Sequence, residues 1–249
     1  MKATAHGESK PVLSLQMDLS NHTLTVRWMQ KMLENMKDLG EEICKELVGW
    51  THEKVVLEVD GFDRYYIDGS INQTTLSLIG KQLLDRPMAL NTTSGAGNAG
   101  GYPAWTICSM LNERFYKAMP WSIQFLTKPV KTKYTIGQNS GEVSTDAGSF
   151  HVLLPTVFDL GVTEGTFKEH IAESGGSQYN KTYIDTADER IRYYSNGTVG
   201  EYWTRSTVYS AVSPDWYADK VYYIDSVGEA QNWTGYVTTK RGILVEISF

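Results

Sequence analysis

Tyr202-Trp203-Thr204-Arg205-Ser206 is the stretch on which the reading of this chain turns. Aromatic and β-branched residues in so short a run read as a strand. Downstream, Arg241-Gly242-Ile243-Leu244-Val245-Glu246-Ile247-Ser248-Phe249 reads as a second, terminal strand. Residues 207–240 between them are crowded with Tyr, Trp, Ser, Asn and Asp. No catalytic or cofactor motif of similar clarity occurs elsewhere. A binding or structural protein is therefore expected, not an enzyme.

The bracketed segment carries the positive signal. Tyr209, Trp216, Tyr217, Tyr222, Tyr223, Trp233 and Tyr236 alternate with Ser210, Ser213, Asp215, Asn232 and Thr234. Rigid amphipathic rings beside small polar groups are the composition of recognition surfaces. The competing reading is that about half of these rings fill a core. Neighbours on a strand face opposite ways, so one of Tyr222 and Tyr223 is expected to point inward and the other outward.

Upstream, Trp105 to Met119 places Ile107, Leu111, Phe115 and Met119 on one face, which predicts an amphipathic helix ended by Pro120. Lys54–Asp60, Arg64–Asp68 and Thr75–Ile79 read as three strands of an antiparallel meander, turning at Gly61-Phe62-Asp63. Phe150-His151-Val152-Leu153-Leu154-Pro155 is an apolar strand expected at the centre of a sheet. Residues 137–149 and 161–200 read as polar loops, with a helical turn near Ile184–Arg192. Val12 to Leu19 reads as a short strand, Val26 to Leu39 as a helix, and Glu41 to Leu47 as a second short helix. The expected organisation is an N-terminal arm with helices over 1–50, for attachment or oligomerisation, and one α+β domain over 51–249.

Composition removes several classes. The 249 residues carry a net charge of −6 with no basic run. That argues against a general grip on nucleic-acid phosphates or an anionic membrane. No stretch approaches the roughly 20 apolar residues of a membrane helix. Met1–Lys10 lacks the apolar centre of a signal peptide, so synthesis in the cytoplasm is expected. Cys44 and Cys108 are isolated and read as two free thiols. Six of the ten asparagines stand in Asn-x-Thr (Asn21, Asn72, Asn91, Asn180, Asn196, Asn232), which reads as a polar surface.

The chemistry-bearing patterns are weak. None of the five histidines (His6, His22, His52, His151, His170) sits in a nucleophile or metal-ligand spacing. The glycine-rich loop 91–102 lacks the Gly-Lys-Ser/Thr ending of a phosphate loop. Asp185, Asp188 and Glu189 read as a solvated acidic turn. No metal or cofactor is expected, and a glycosidase carboxylate pair has nothing in its favour.

The order of features carries one resemblance. The Trp105 helix, Phe150–Pro155, Gly176-Ser177-Gln178-Tyr179, Tyr202–Ser206 and Arg241-Gly242-Ile243 follow one another as in an uncharacterised family of phages and prophages of Gram-positive gut bacteria. That family resembles C-type-lectin-like modules, including variable domains displayed on phage tail tips. The resemblance covers roughly residues 50–249. It implies antiparallel strands, one or two packed helices and long structured loops. It also implies a virion protein of the tail or baseplate, in contact with other virion proteins and forming a homo-oligomer. Trp203, Arg205, Arg241 and Gly242 would be framework. Tyr209, Asp215, Trp216, Tyr217, Asn232, Trp233 and Tyr236 would bind a host-surface receptor, glycan or protein. The Glu-Pro-Asn and Trp-Asn-Asp motifs of calcium lectins are absent, so calcium-dependent sugar binding does not carry over. The alternatives are a purely architectural virion protein and, behind it, a polysaccharide hydrolase.

Overall fold

The computed structural model describes residues 76–92, 97–119, 121–137, 140–144, 148–162, 184, 186–208 and 218–249, with short strand segments between Val12 and Ile67. Val12–Leu13 (β1) pairs in parallel with Cys44–Lys45 (β2). Leu47–Val48 (β3) pairs antiparallel with Val56–Phe62 (β4). The helix expected over 41–47 is thus corrected to strands. Leu47 comes opposite Leu57, and completing a sheet edge outweighs the weak helix propensity of a short acidic run. The helix expected over 26–39 lies outside the described residues.

The meander is also rearranged. β4 continues through Gly61-Phe62, which the sequence marks as a turn. Val59 faces Leu78 and Gly61 faces Ser77, so Asp60 is an unpaired bulge residue. β4 then pairs directly with Leu76–Gly80 (β6), while Tyr66–Ile67 (β5) joins Val130–Thr132 (β7) in another sheet. The expected loop over 137–149 holds two strands. Thr135–Gly137 (β8) pairs with Ser140–Val143 (β9), and Gly148–Phe150 (β10) pairs with β7.

The central element is a five-stranded antiparallel sheet. In it Val152–Leu153 (β11), Glu246–Ser248 (β17), β6, β4 and β3 lie side by side. Its alternation sorts residues between two faces. Leu78, Ile243, Val245 and Ile247 enter the main core with Trp105, Phe115 and Trp203, whereas Ile79 and Leu244 enter a second cluster with Leu83, Tyr202 and Ile224. Each fully buried side chain of this kind contributes about 1.5–3 kcal/mol.

The helix predicted at Trp105 is present. Helix α1 runs from Thr106–Ser109 through a π-helical Met110–Phe115 into Tyr116–Ala118. Trp121–Leu126 (α2) follows. Ile107, Leu111, Phe115 and Met119 are all buried. A strict four-residue spacing drifts around a helix of 3.6 residues per turn; the wider π turn reduces that drift.

The apolar run at Phe150 divides between two sheets, and β11 is an edge strand, not a central one. His151 is the residue at the crossing. Asn112, within the π-helical turn, covers the exposed edge. Its Oδ1 accepts from the backbone N–H of His151 (2.9 Å) and Val152 (3.0 Å), and its Nδ2 donates to Val152 O (2.9 Å) and Cys108 O (3.1 Å). The carboxamide therefore stands in for a neighbouring strand.

The His151 ring stacks on Tyr116 at 4.1 Å, and its Nδ1 is buried without a hydrogen-bond partner. Burial lowers the imidazole pKa, and a hydrogen bond with the Thr127 backbone opposes this more weakly. A folded-state pKa below the unfolded value of about 6.5 means that the unfolded chain binds the proton first. Stability is thus expected to be full above about pH 6.5 and to fall as pH drops below it. Urea midpoints across this window should show a shallower slope for His151→Gln than for the wild type.

Residues 186–200 hold the helical turn expected near 184–192 and, where a loop was expected, a hairpin. Ala187–Arg190 (α3) carries a full capping box: the Thr186 hydroxyl accepts from Glu189 N, and the Glu189 carboxylate accepts from Thr186 N. Arg192–Tyr193 (β12) and Val199–Gly200 (β13) then form a hairpin. The last sheet has Tyr202–Thr207 (β14), Val221–Ile224 (β15) and Ala230–Gln231 (β16) in that order. Among the described residues, no helix is long and apolar enough to cross a membrane.

Candidate binding surface

Strand β14 is bulged, and its sequence shows how. Trp203 faces Tyr223 and Thr207 faces Val221, so Thr204, Arg205 and Ser206 together oppose Tyr222. The Thr204 hydroxyl fills the broken ladder by donating to Tyr222 O (2.7 Å). All six residues of β14 are buried, and so are both Tyr222 and Tyr223. The expectation that only one of that pair points inward is corrected: β15 is covered on both faces. Tyr223 packs in the main core, and Tyr222 packs with Val157 and Val208.

Arg205 is fully buried and holds three loops together. Its backbone N–H donates to Pro155 O (3.0 Å), its Nη1 to Lys133 O (3.0 Å) and its Nη2 to Thr132 Oγ1 (3.3 Å). Nη2 lies 3.6 Å from Asp159 Oδ2. Asp159 is itself tied to Thr156 in both directions. Trp203 donates from Nε1 to Met88 O (3.0 Å) and from its backbone to Gly242 O (3.1 Å). The two motif segments of the sequence are thus direct neighbours. A Cβ on Gly242 would lie 2.6 Å from Leu83 Cδ1 and 3.0 Å from Glu201 O, so the close approach requires glycine there.

Arg241 braces the turn beside this framework. Its guanidinium carbon lies 3.7 Å from the centre of the Tyr223 ring and 4.6 Å from that of Trp203. Nε bonds Glu201 Oε2 at 3.1 Å, and Nη2 donates to both O and Oγ1 of Thr234 at 3.0 Å. Thr234 Oγ1 also meets Tyr223 OH (2.9 Å). The turn at Asn232–Gly235 is closed by Gly235 N donating to Asn232 O and Val221 N donating to Gly235 O. This brace leaves Trp233 70 % exposed, the most exposed large hydrophobic among the described residues. Tyr236 is 38 % exposed and lies over the buried Lys220 ammonium, 5.0 Å from the ring centre. Burial lowers the Lys220 pKa. In Gly235-Tyr236-Val237, Tyr236 forms a bridge to Lys220.

Of the expected binding residues, Asn232, Trp233 and Tyr236 are therefore brought onto one segment. Tyr209, Asp215, Trp216 and Tyr217 lie outside the described residues.

The glycine-rich loop supports the same segment from below. Asn98 is buried, takes a backbone bond to Ala218 O, and donates from Nδ2 to Lys220 O (2.7 Å). Asn91 donates from Nδ2 to Gly97 O and accepts from Thr106 N, which joins the loop to the start of α1. Gly97 has φ +51, and a Cβ there would lie 2.7 Å from Ala218 O. Gly97 and Gly101 allow close backbone contact, to Ala218 O and Thr135 O. Asn91 is 3 % exposed, so this asparagine is core, while Asn196 stands exposed on the hairpin tip. Asn91 and Asn98 escape sequence reasoning because their partners are bare backbone, and Lys220 and Glu201 because theirs, Tyr236 and Arg241, are met only in the fold.

A second concavity, a cleft of about 460 Å³, is lined by residues that include Lys81, Asp188, Glu189, Arg192 and Tyr193. Its two carboxylates are consecutive on α3, and Glu189 is engaged in the capping box. They do not face each other across the cleft as a glycosidase pair does. Among the described residues, no group of three or more His, Cys, Asp or Glu is placed to hold a metal ion. Cys108 is a free, buried cysteine, and burial pushes its thiol up to about 11. At pH 8 roughly a thousandth would be thiolate. Iodoacetamide is expected to leave Cys108 unmodified in the folded chain and to alkylate it promptly in denaturant, as peptide mapping would show.

A family model described as a domain of unknown function (DUF6273) matches residues 79–246, two thirds of the chain. The match begins within β6 and ends within β17, the two strands that pair at the centre of the main sheet. No curated protein and no solved structure matches the chain.

Proposed function

This chain belongs to the DUF6273 family, and we propose that it is a virion protein of a phage tail or baseplate that presents a C-type-lectin-like domain to a host-surface receptor. The observation that carries the binding part is Trp233: an indole 70 % exposed, on a turn locked by Arg241. Burying such a ring on a partner is strongly favourable, and the backbone of the turn that carries it is already ordered by the Arg241 bonds to Thr234. The mixed α+β build, with the first and last strands of the matched region paired, fits the lectin-like part of the reading. Strand pairing there fixes a base from which the intervening segments loop out. The virion setting rests on the order of sequence features alone. Recognition proceeds by binding only, with aromatic anchors and a polar rim.

Purified chain added ahead of particles that carry it should block their adsorption to host cells. Trp233→Ala chain should block at least about thirtyfold less well, the scale of an interface hot spot. Its thermal midpoint should match that of the wild type, since an exposed side chain away from packing changes stability by only about 0.5 kcal/mol. Unimpaired adsorption in the presence of wild-type chain would instead favour an architectural virion role.

A further inference from the structure

We infer that Asn196 is a site of spontaneous covalent modification: the backbone nitrogen of Gly197 attacks its side-chain amide, and the hairpin tip becomes a mixture of isoaspartate and aspartate. Of the ten asparagines in the chain, Asn196 alone is followed by glycine. The reaction needs a main-chain nitrogen to reach the preceding Cγ, and a side chain on the second residue crowds that approach. Glycine has none. Gly197 also stands at φ +82, where side-chain-bearing residues are strained.

The fold presents this dipeptide to water. Tyr194 N donates to Thr198 O and Gly197 N to Tyr194 O, both at 2.9 Å, which closes the tip of the β12–β13 hairpin. Ser195, Asn196, Gly197 and Thr198 are all exposed. Asn196 Oδ1 accepts from Thr198 N at 2.9 Å. The ring closed by that bond contains Gly197 N, so the carboxamide is already folded back over its nucleophile. The Thr198 N–H also polarises the carbonyl under attack. Asp85 steadies the tip, with Oδ1 accepting from Ser195 N (3.1 Å) and Oδ2 from Ser195 Oγ (2.8 Å). The Gly197 N–H bond holds the reaction back, but opening one bond at an exposed tip costs far less than unfolding the chain. Other asparagines are differently placed. Asn91 and Asn98 are buried, and the Asn112 amide is engaged at both ends by the β11 edge and the helix.

Water is the one co-reactant. Hydroxide removes the Gly197 amide proton, and the nitrogen forms a bond to Asn196 Cγ. The Cγ–Nδ2 bond breaks, and Nδ2 takes a proton from water and leaves as ammonia. The resulting five-membered succinimide then adds one water. If the bond from Gly197 N to Cγ breaks, aspartate forms. If the bond from Gly197 N to the Asn196 main-chain carbonyl carbon breaks, isoaspartate forms, with a backbone one methylene longer. The net change is asparagine plus water to acid plus ammonia. Either acid, once ionised, adds a negative charge beside Ser195, which Asp85 already holds, at the edge of the cleft lined by Lys81, Ser195 and Gly197. The reaction depends on the hairpin alone and not on any receptor.

The test incubates the full chain, folded, at mildly acid and mildly alkaline pH, with a parallel sample unfolded in urea at the alkaline pH. Peptide mapping by mass spectrometry follows each asparagine, and an isoaspartate-specific methyltransferase assay identifies the product. In the folded chain Asn196 should convert at least about tenfold faster than Asn91, Asn98 or Asn112, and no more than about thirtyfold slower than in urea. The rate should rise with pH, and isoaspartate should appear together with aspartate. Asn196→Gln disfavours the five-membered ring; it should keep the melting curve and lose the main acidic species seen on ion exchange. Aspartate without isoaspartate would mean direct hydrolysis of the side chain and overturns the attack by Gly197. A folded rate below the thirtyfold limit would mean that the hairpin locks the nitrogen, which overturns the site. An acidic species that persists in Asn196→Gln places the modification elsewhere and overturns it equally.

Discussion

Replacing Arg205 by alanine is expected to cost about 3–5 kcal/mol, the usual penalty for leaving one member of a buried ion pair alone. Both side chains of the Arg205–Asp159 pair are fully buried. Removing the guanidinium strands a carboxylate and also withdraws donors from Lys133 O and Thr132 Oγ1. Three loop segments, near residues 133, 156 and 205, lose their common tie. The loss should appear as a fall in the urea midpoint with little change in its slope. A second variant separates charge from packing. Arg205→Met with Asp159→Asn removes both charges and keeps most of the volume, so it should recover part of the loss. An Arg205→Ala chain destabilised by less than about 1 kcal/mol would show that water reaches the pair and that the clamp is not a structural tie.

Asn112→Asp is expected to cost about 2–4 kcal/mol near neutral pH, although the two residues are nearly the same shape. The Asn112 carboxamide accepts from His151 and Val152 with one end and donates to Val152 O and Cys108 O with the other. An aspartate keeps the accepting end and turns a second oxygen toward two carbonyls. Protonating that oxygen restores one donor, so folding favours the acid form and raises the folded-state pKa above about 3.9. The sign follows: the deficit relative to the wild type at the same pH is full above the folded pKa and shrinks as pH falls through it. Asn112→Ala removes both ends, is likewise destabilised, and should show no such recovery. A pH-independent deficit in Asn112→Asp would mean that the edge of β11 is covered by something other than this amide.

Several elements were legible because their signals are local. Helix α1 followed from an apolar face spaced over one helix length, and β6 from a short run of alternating character. The helical turn expected near 184–192 is α3, whose capping box Thr186-Ala-Asp-Glu189 is equally local, and the Asn196-Gly197 turn signal marks the β12–β13 hairpin. Strand partners were not legible. Nothing in Tyr66-Ile67 says that it leaves β4 for β7, and nothing in Val152-Leu153 says that a helix side chain will serve as its neighbour. The inward and outward faces of Tyr222 and Tyr223 were misjudged for the same reason: burial on both sides of β15 depends on what packs there.

For the proposed binding surface, composition marked the segment, and the tertiary structure decides which of its rings are exposed. Tyr, Trp, Asn and Asp over 207–240 marked a display region, but in a list of rings Trp203, Tyr223 and Trp233 look alike. The fold buries Trp203 and Tyr223 against Arg241 and exposes Trp233. What the sequence determined by itself was chemistry and period: strands such as β6 and β14, the helix with an apolar face, and that Tyr202–Ser206 and Arg241–Phe249 bracket something distinctive. What only the tertiary structure decided was the meaning of those brackets. Thr204 fills a bulge, Arg205 ties distant loops, Gly242 admits a backbone, and Arg241 holds a turn. Each role depends on an atom brought within hydrogen-bonding or contact distance by chain far away in sequence, and such interactions lose their strength within a few ångströms.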